Sequence, residues 1–260
     1  MQTSPRLSLV TSYRQRPEYL DLLIARLTGI REREGFNAFE LIVVEGDAQP
    51  TVAHLGDKYE WVQYLYVPHS GTFNRPLLTN RGAAIAKGDY MMAFDVDLLP
   101  GEDVLSNHLA LAMSSPRIVV GGYRLQLPEM LPEPVIPDIN SLVAKSAAQK
   151  KALVCPEDSH GALIKYLLCG EKPGVVACYP TSTFIAIGGM DEEFAGWGPD
   201  DQNLMERLCD TGLALLRCYD LLYYHLPHEY ENQWHEREFV EANRAKFDQK
   251  RRASKNEVIQ

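Results

Sequence analysis

The stretch Tyr90-Met91-Met92-Ala93-Phe94-Asp95-Val96-Asp97 decides how this chain folds. Residues 90–94 are an unbroken apolar run, short enough for a buried strand, and Asp95 closes it. Just upstream, Gly88 ends a helical pattern over residues 77–86. Residues 62–67, 41–45 and 7–11 are further short, apolar, β-branched runs. Residues 17–28 place Leu20, Leu23, Ile24 and Leu27 on one helical face. Strands alternating with helices predict an α/β fold, with a mostly parallel, doubly wound central sheet flanked by helices. Such sheets bind ligands at the carboxyl ends of their strands. Thr11, Glu45 and Asp95 fall at those ends, so one rim is the expected site.

Downstream, residues 118–121 read as another strand. Residues 128–173 change character: Pro128, Pro132, Pro134 and Pro137 come in quick succession before a helical stretch near 139–152. This segment reads as an insertion on the acceptor side. Residues 175–187 contain two strand-like pieces. Residues 200–211 form a helix closed by Gly212, and 213–219 a strand. From residue 236 the chain reads as a charged helix. One domain over 1–260 is expected: a nucleotide-binding half at 1–100, an acceptor and catalytic half at 101–235, and the tail at 236–260.

The chain has 260 residues, enough to bury a full core. Hydrophobic residues make up 45% and charged residues 23%, as in ordinary soluble domains. A net charge of −9 argues against a nucleic-acid partner. No apolar run reaches the ~20 residues that span a bilayer, and no signal-type run precedes the first strand. The cysteines (Cys155, Cys169, Cys178, Cys209, Cys218) form no Cys-x-x-Cys pair. They are expected to be reduced thiols in a cytoplasmic protein, without structural zinc.

Asp95-Val96-Asp97 offers two carboxylates for Mn²⁺ or Mg²⁺, the ions that neutralise a diphosphate. Fully extended, both acids share a face and can reach one metal. A bend there would instead give the metal to one of them. The alternative is a solvated strand-end turn. His225-Leu226-Pro227-His228 adds two imidazoles, which suit Mn²⁺ better than Mg²⁺. Glycines 188, 189, 196 and 198 bracket Trp197, as in a loop that closes over a sugar. Asp200 and Asp201 follow, with Asp201 able to act as general base on an acceptor hydroxyl. The bland reading makes one of these acids an N-cap. Arg14, Arg16 and Arg75 can fork onto phosphates and Phe73 can pack on a base, while Glu45 and Asp47 can meet base or ribose. The basic tail leaves peripheral membrane contact open, although a solvated helix fits its interleaved charges better.

Five segments, in order and spacing, resemble the metal-dependent β-1,4-galactosyltransferases and their chondroitin-polymerase and polypeptide N-acetylgalactosaminyltransferase relatives. They are Tyr13-Arg14-Gln15-Arg16; Phe73-Asn74-Arg75 running on to Asn80 and Gly82; Asp95-Val96-Asp97-Leu98-Leu99-Pro100; Gly188 through Arg207; and His225-x-x-His228. The resemblance implies a GT-A fold and an inverting transfer of sugar from a UDP-sugar to an acceptor hydroxyl; the cytosolic look of the chain, rather than any motif, suggests a glycan or lipid-linked saccharide as acceptor. The resemblance also implies Asp97 and His228 as Mn²⁺ ligands, with His225 replacing a methionine. Asp201 would be the base and Trp197 the lid residue. Arg14, Arg16, Phe73 and Arg75 would be the UDP contacts; Thr11, Tyr13, Asp95 and Val96, at or beside the same strand ends, are expected to line the nucleotide-sugar site with them. Pro199 stands where the family has glycine, Asp200 where it has glutamate, and Gln202 where it has an acid. The rival readings are a retaining transferase of the same fold, a sugar-phosphate nucleotidyltransferase and a non-catalytic sugar-binding module. The nucleotidyltransferase would need a Gly- and Lys-bearing first loop, which residues 9–16 lack.

Overall fold

The structure, a computed structural model, describes residues 5–127, 176–228 and 237–257. The expectations for residues 128–173 lie outside the described residues. In chain order the elements are β1 (Leu7–Tyr13), α1 (Pro17–Arg33), β2 (Phe39–Asp47), α2 (Leu55–Lys58), β3 (Val62–Pro68), α3 (Arg75–Ala83), β4 (Tyr90–Ala93) and β5 (Leu98–Pro100). They continue with α4 (Val104–Met113), β6 (Ile118–Gln126), β7 (Ala177–Pro180), α5 (Thr181–Ala186), α6 (Asp200–Asp210), β8 (Ala214–His225) and α7 (Arg237–Glu257).

The strands form one sheet in the order β3-β2-β1-β4-β7-β6-β8-β5. The first four are parallel, as expected from the alternating pattern. Beyond β4 the sheet is mixed: β7 runs antiparallel to β4 and β6, β6 is parallel to β8, and β5 is antiparallel to β8. All nine residues of β2 are buried because both faces of the sheet are covered. Leu7, Leu9, Leu41 and Val43 face α1 through Leu20, Leu23 and Leu27. Val10, Ile42 and Val44 face Leu78 of α3 and Leu204, Met205 and Leu208 of α6. Gly82 lets α3 lie this close, since a Cβ there would come within 2.4 Å of Val10 Cγ1 and 2.8 Å of Val44 Cγ2.

Several local expectations change. β1 runs on to Tyr13, so Thr11 is a buried mid-strand residue opposite Val43 rather than a strand end. The second strand-like piece within 175–187 is the helix α5. Pro180 interrupts the strand, and Thr181 is anchored by its hydroxyl to Gly88 O at 2.7 Å and by its N–H to Asp89 O at 2.9 Å. β8 extends to residue 225 rather than 219. β5 was not anticipated; its pairing sets Leu98 opposite His225. The tail is helical as expected, but its cations do not face solvent as a basic stripe. Lys250 pairs with Asp191 and Glu193, Arg251 with Glu206, and Arg244 with Asp248. Membrane contact through this tail is therefore not supported, because these positive charges are already satisfied within the protein. Among the described residues, no helix is long and apolar enough to cross a membrane.

Candidate active site

Gln15 has a left-handed φ of +49°, strained for a residue with a side chain. That turn sends its two arginine neighbours in different directions. Arg14 donates to Gly46 O, to His69 O at 2.6 Å and to Gly71 O at 2.8 Å, and lies 5.4 Å over the Phe73 ring. It ties the ends of β1 and β2 to the 69–73 loop. Arg16 turns the other way and donates to Asp97 Oδ2 at 2.9 Å. Asp47 accepts from Gln15 Nε2 and from Ala48 N–H, at the same rim.

Not every predicted residue reaches the site. Glu45 is fully buried, and its carboxylate accepts from Thr51 N–H, Thr51 Oγ1, Val52 N–H and Tyr64 O–H. It holds the 51–52 loop, so its oxygens are committed inside the protein. Thr11 is fully buried, Tyr13 is 1% exposed and Val96 is 6% exposed; all three support the rim from beneath.

The Asp-x-Asp segment bends rather than staying extended. Leu98 N–H bonds to Asp95 O at 3.2 Å, and the two acids part. Asp97 is buried and faces His225 Nε2 at 3.4 Å and His228 Nε2 at 3.3 Å. Register explains the meeting: β5 pairs with the end of β8, and Leu226 N–H bonds to Asp97 O at 2.8 Å. Burial works against the Asp97 charge. The hydrogen bonds and charge of His225 and His228 overcome this and hold the carboxyl well below the usual carboxylate range.

The donor set fits a divalent cation. Asp97 Oδ1 is buried and receives no hydrogen bond of normal geometry. One carboxylate and two imidazole donors lie within 4.8 Å of one another. Ligands about 2.1 Å from a shared metal sit ~3 Å apart when adjacent, close to the Asp97–imidazole separations seen. One oxygen and two nitrogen donors suit Mn²⁺, Fe²⁺ or Zn²⁺ and leave positions for diphosphate oxygens.

Asp95 goes instead to Arg75, whose Nε lies 3.0 Å from Asp95 Oδ1 while Nη1 lies 2.9 Å from Asp200 Oδ2. One guanidinium thus joins the strand-end acid to the acid that opens α6. Burial opposes the Arg75 charge, but Asp95, Asp200 and Asp201 more than offset it and hold the guanidinium firmly protonated. Burial pushes the Asp200 carboxyl up to about 6; Arg75 pulls against this and Asp201 adds to it. Neither acid is an N-cap. Pro199 takes that position without a side-chain bond, and Asp201 Oδ1 accepts from Gln202 N–H at 2.7 Å. Trp197 stands 53% exposed at the rim.

Residues not singled out as site candidates assemble this loop. Asn74 caps α3 through Leu77 N–H and donates to Glu192 O at 2.8 Å. Asn80 donates to Met190 O at 2.9 Å and accepts from Met190 N–H at 2.8 Å. Gly196 N–H bonds to Phe73 O. The Phe73-Asn74-Arg75…Asn80 segment is thus the dock for the Gly/Trp loop. Arg124 at the end of β6 lies 3.6 Å from Asp95 Oδ2 and adds a cation to the rim. The sequence signal for the asparagines was their place in the motif; for Arg124 there was none.

A family model described as the N-terminal domain of galactosyltransferase matches residues 165–229, which include the Gly/Trp loop, both acids and both histidines. No curated protein matches the chain by sequence. Among solved structures, the chain is similar to the catalytic domain of Drosophila β1,4-galactosyltransferase 7 in complex with xylobiose. The TM-score is 0.51 at 19% identity, covering 86% of this chain and 71% of that one. It is similar to S. aureus TarS 1–349 in complex with UDP-GlcNAc, with a TM-score of 0.62 at 14% identity over 88% of this chain and 60% of that one. It is also similar to the mannosyltransferase PcManGT of Pyrobaculum calidifontis, in complex with GDP-Man and Mn²⁺. There the TM-score is 0.55 at 14% identity, over 88% of this chain and 59% of the other. The chain therefore spans less than two thirds of the TarS and mannosyltransferase chains. The fold is GT-A, the fold of these glycosyltransferases.

Proposed function

We propose that this protein is a divalent-metal-dependent glycosyltransferase that moves a sugar from a UDP-sugar to an acceptor hydroxyl with inversion. One observation carries the reading. Asp97, His225 and His228 converge on the rim where Arg75 joins Asp95 to Asp200. A cation on those three donors, when bound, supplies positive charge to a diphosphate leaving group. The chain's own part is as follows. Arg16, Arg75 and Arg124 surround the acids with guanidinium charge suited to phosphate oxygens. The Phe73 ring under Arg14 offers a base its platform. Trp197 gives a sugar ring a flat apolar face. Asp201 takes the proton of the acceptor hydroxyl, whose oxygen bonds to the anomeric carbon as the bond from that carbon to the diphosphate breaks. The acceptor is a glycan or lipid-linked saccharide. A cytoplasmic site of action belongs to the same proposal, supported by the free thiols of Cys178 and Cys218. Its single-domain organisation is likewise proposed, supported by a sheet whose strands come from both halves.

The test is a hydrolysis screen of UDP-, GDP-, dTDP- and CMP-sugars with and without Mn²⁺, repeated on Asp201→Asn with acceptor present. Metal-dependent release of UDP from one donor, and a transfer rate lowered by on the order of 10²-fold or more in Asp201→Asn, are expected. A binding module would hydrolyse none of them. A retained anomeric configuration in the product would replace inversion by retention.

A further inference from the structure

The Gly196-Trp197-Gly198 turn is gripped from behind by α7. Asn243, 4% exposed, donates from Nδ2 to Ala195 O at 2.8 Å and to Trp197 O at 2.9 Å. Those carbonyls flank Gly196, whose φ of +71° makes it the left-handed residue of the turn. On the opposite side Gly196 N–H is bonded to Phe73 O at 2.8 Å. There is no slack between helix and turn, because a Cβ on Gly198 would fall 2.7 Å from Asn243 Cβ. Around this point Phe247 is fully buried, Lys250 bridges Asp191 at 2.8 Å and Glu193 at 3.0 Å, and Lys246 reaches Glu193 O. Pro199, with its ring-fixed φ, stiffens the step from the turn into α6.

Resting on the glycosyltransferase reading above, we propose that Asn243 is a positioning residue. It holds the Trp197 turn as a preset platform, and with it the aim of Asp200 and Asp201, before any ligand arrives. A primary amide suits the task because its NH₂ group can serve two carbonyls at once. A carboxylate of the same size has no such donors and would repel both oxygens. Without the clamp, two carbonyls lose a buried partner and Gly196 regains its conformational freedom. The turn would then have to be ordered during each catalytic cycle.

The experiment compares wild type, Asn243→Asp and Asn243→Ser as full chains. Hydrogen exchange is read over residues 194–199, and initial rates are read with the donor found in the screen. In Asn243→Asp, exchange over 194–199 should rise about tenfold or more, as expected for losing buried hydrogen bonds, while β1 and β2 stay protected. kcat should fall by a similar factor, with KM for the donor within about twofold. Asn243→Ser, which keeps one donor, should fall between. The proposal is overturned if exchange over 194–199 is unchanged, rises equally throughout the chain, or if the whole kinetic loss lies in donor KM. Should wild type turn over no nucleotide-sugar, the functional reading fails, and the exchange measurement alone decides the clamp.

Discussion

Arg75 links two acids of the site with one guanidinium. It is the shared partner of Asp95 and Asp200, which sit in different halves of the sequence. Lysine keeps the charge but not the fork, so Arg75→Lys should leave one acid without its partner. We expect transfer to fall by on the order of 10²-fold, with a stability loss of about 1–3 kcal/mol, measured by initial rates and by urea unfolding. Away from the site, buried His108 accepts from Tyr223 O–H at Nδ1 and donates to Val120 O from Nε2, at 2.7 and 2.9 Å. Burial depresses it to about 4, the bond to Val120 O pulling slightly the other way. The unfolded chain therefore binds more protons than the folded one between about pH 6.5 and 4. The contribution of a neutral His108 is present above pH 6.5 and is lost as pH falls through that window, about 3 kcal/mol in all. His108→Gln should flatten this part of the stability profile, read from urea midpoints between pH 4 and 7. The sequence showed residue types but not these partnerships. Asp97, His225, His228 and Arg75 could be named, whereas Glu45 looked like a ligand contact because nothing in its neighbours foretold four internal donors.

At the scale of elements, α3 sets the rim because it starts at Arg75 and lies flat on β1 and β2. Gly82 is the condition for that contact. Gly82→Ala should push α3 outward, at a cost of about 1–3 kcal/mol, and weaken donor binding by moving Asn74 and Arg75. Thermal unfolding and donor titration measure the two effects. The buried strands were legible because parallel strands covered on both faces must be apolar throughout, as residues 41–45 and 90–94 are. β5 was not, being only three residues long and ending in proline; its pairing with β8 makes it a strand. The second strand-like piece expected within residues 175–187 falls where Thr181, Thr183, Phe184 and Ile185 favour a strand. Tertiary anchoring of Thr181 made it helical instead.

Across the molecule, α7 turns three of its cations, Lys246, Lys250 and Arg251, onto the rest of the protein. Although net charge is −9, Lys250 and Arg251 of the basic tail are occupied by acids at residues 191, 193 and 206. Such long-range pairing leaves no periodic signature, so the tail read as solvated. The protein should not sediment with anionic phospholipid vesicles at physiological salt, a direct check that α7 is a brace and not a membrane contact. If Asp97, His225 and His228 hold a cation that receives a nucleoside diphosphate, calorimetric titration of UDP into wild type and Asp97→Asn, with and without Mn²⁺, will separate the two proteins. Mn²⁺ should tighten UDP binding at least about tenfold in wild type and have no effect in Asp97→Asn. Equal affinity with and without Mn²⁺, or tightening that survives in Asp97→Asn, would rule this cation site out.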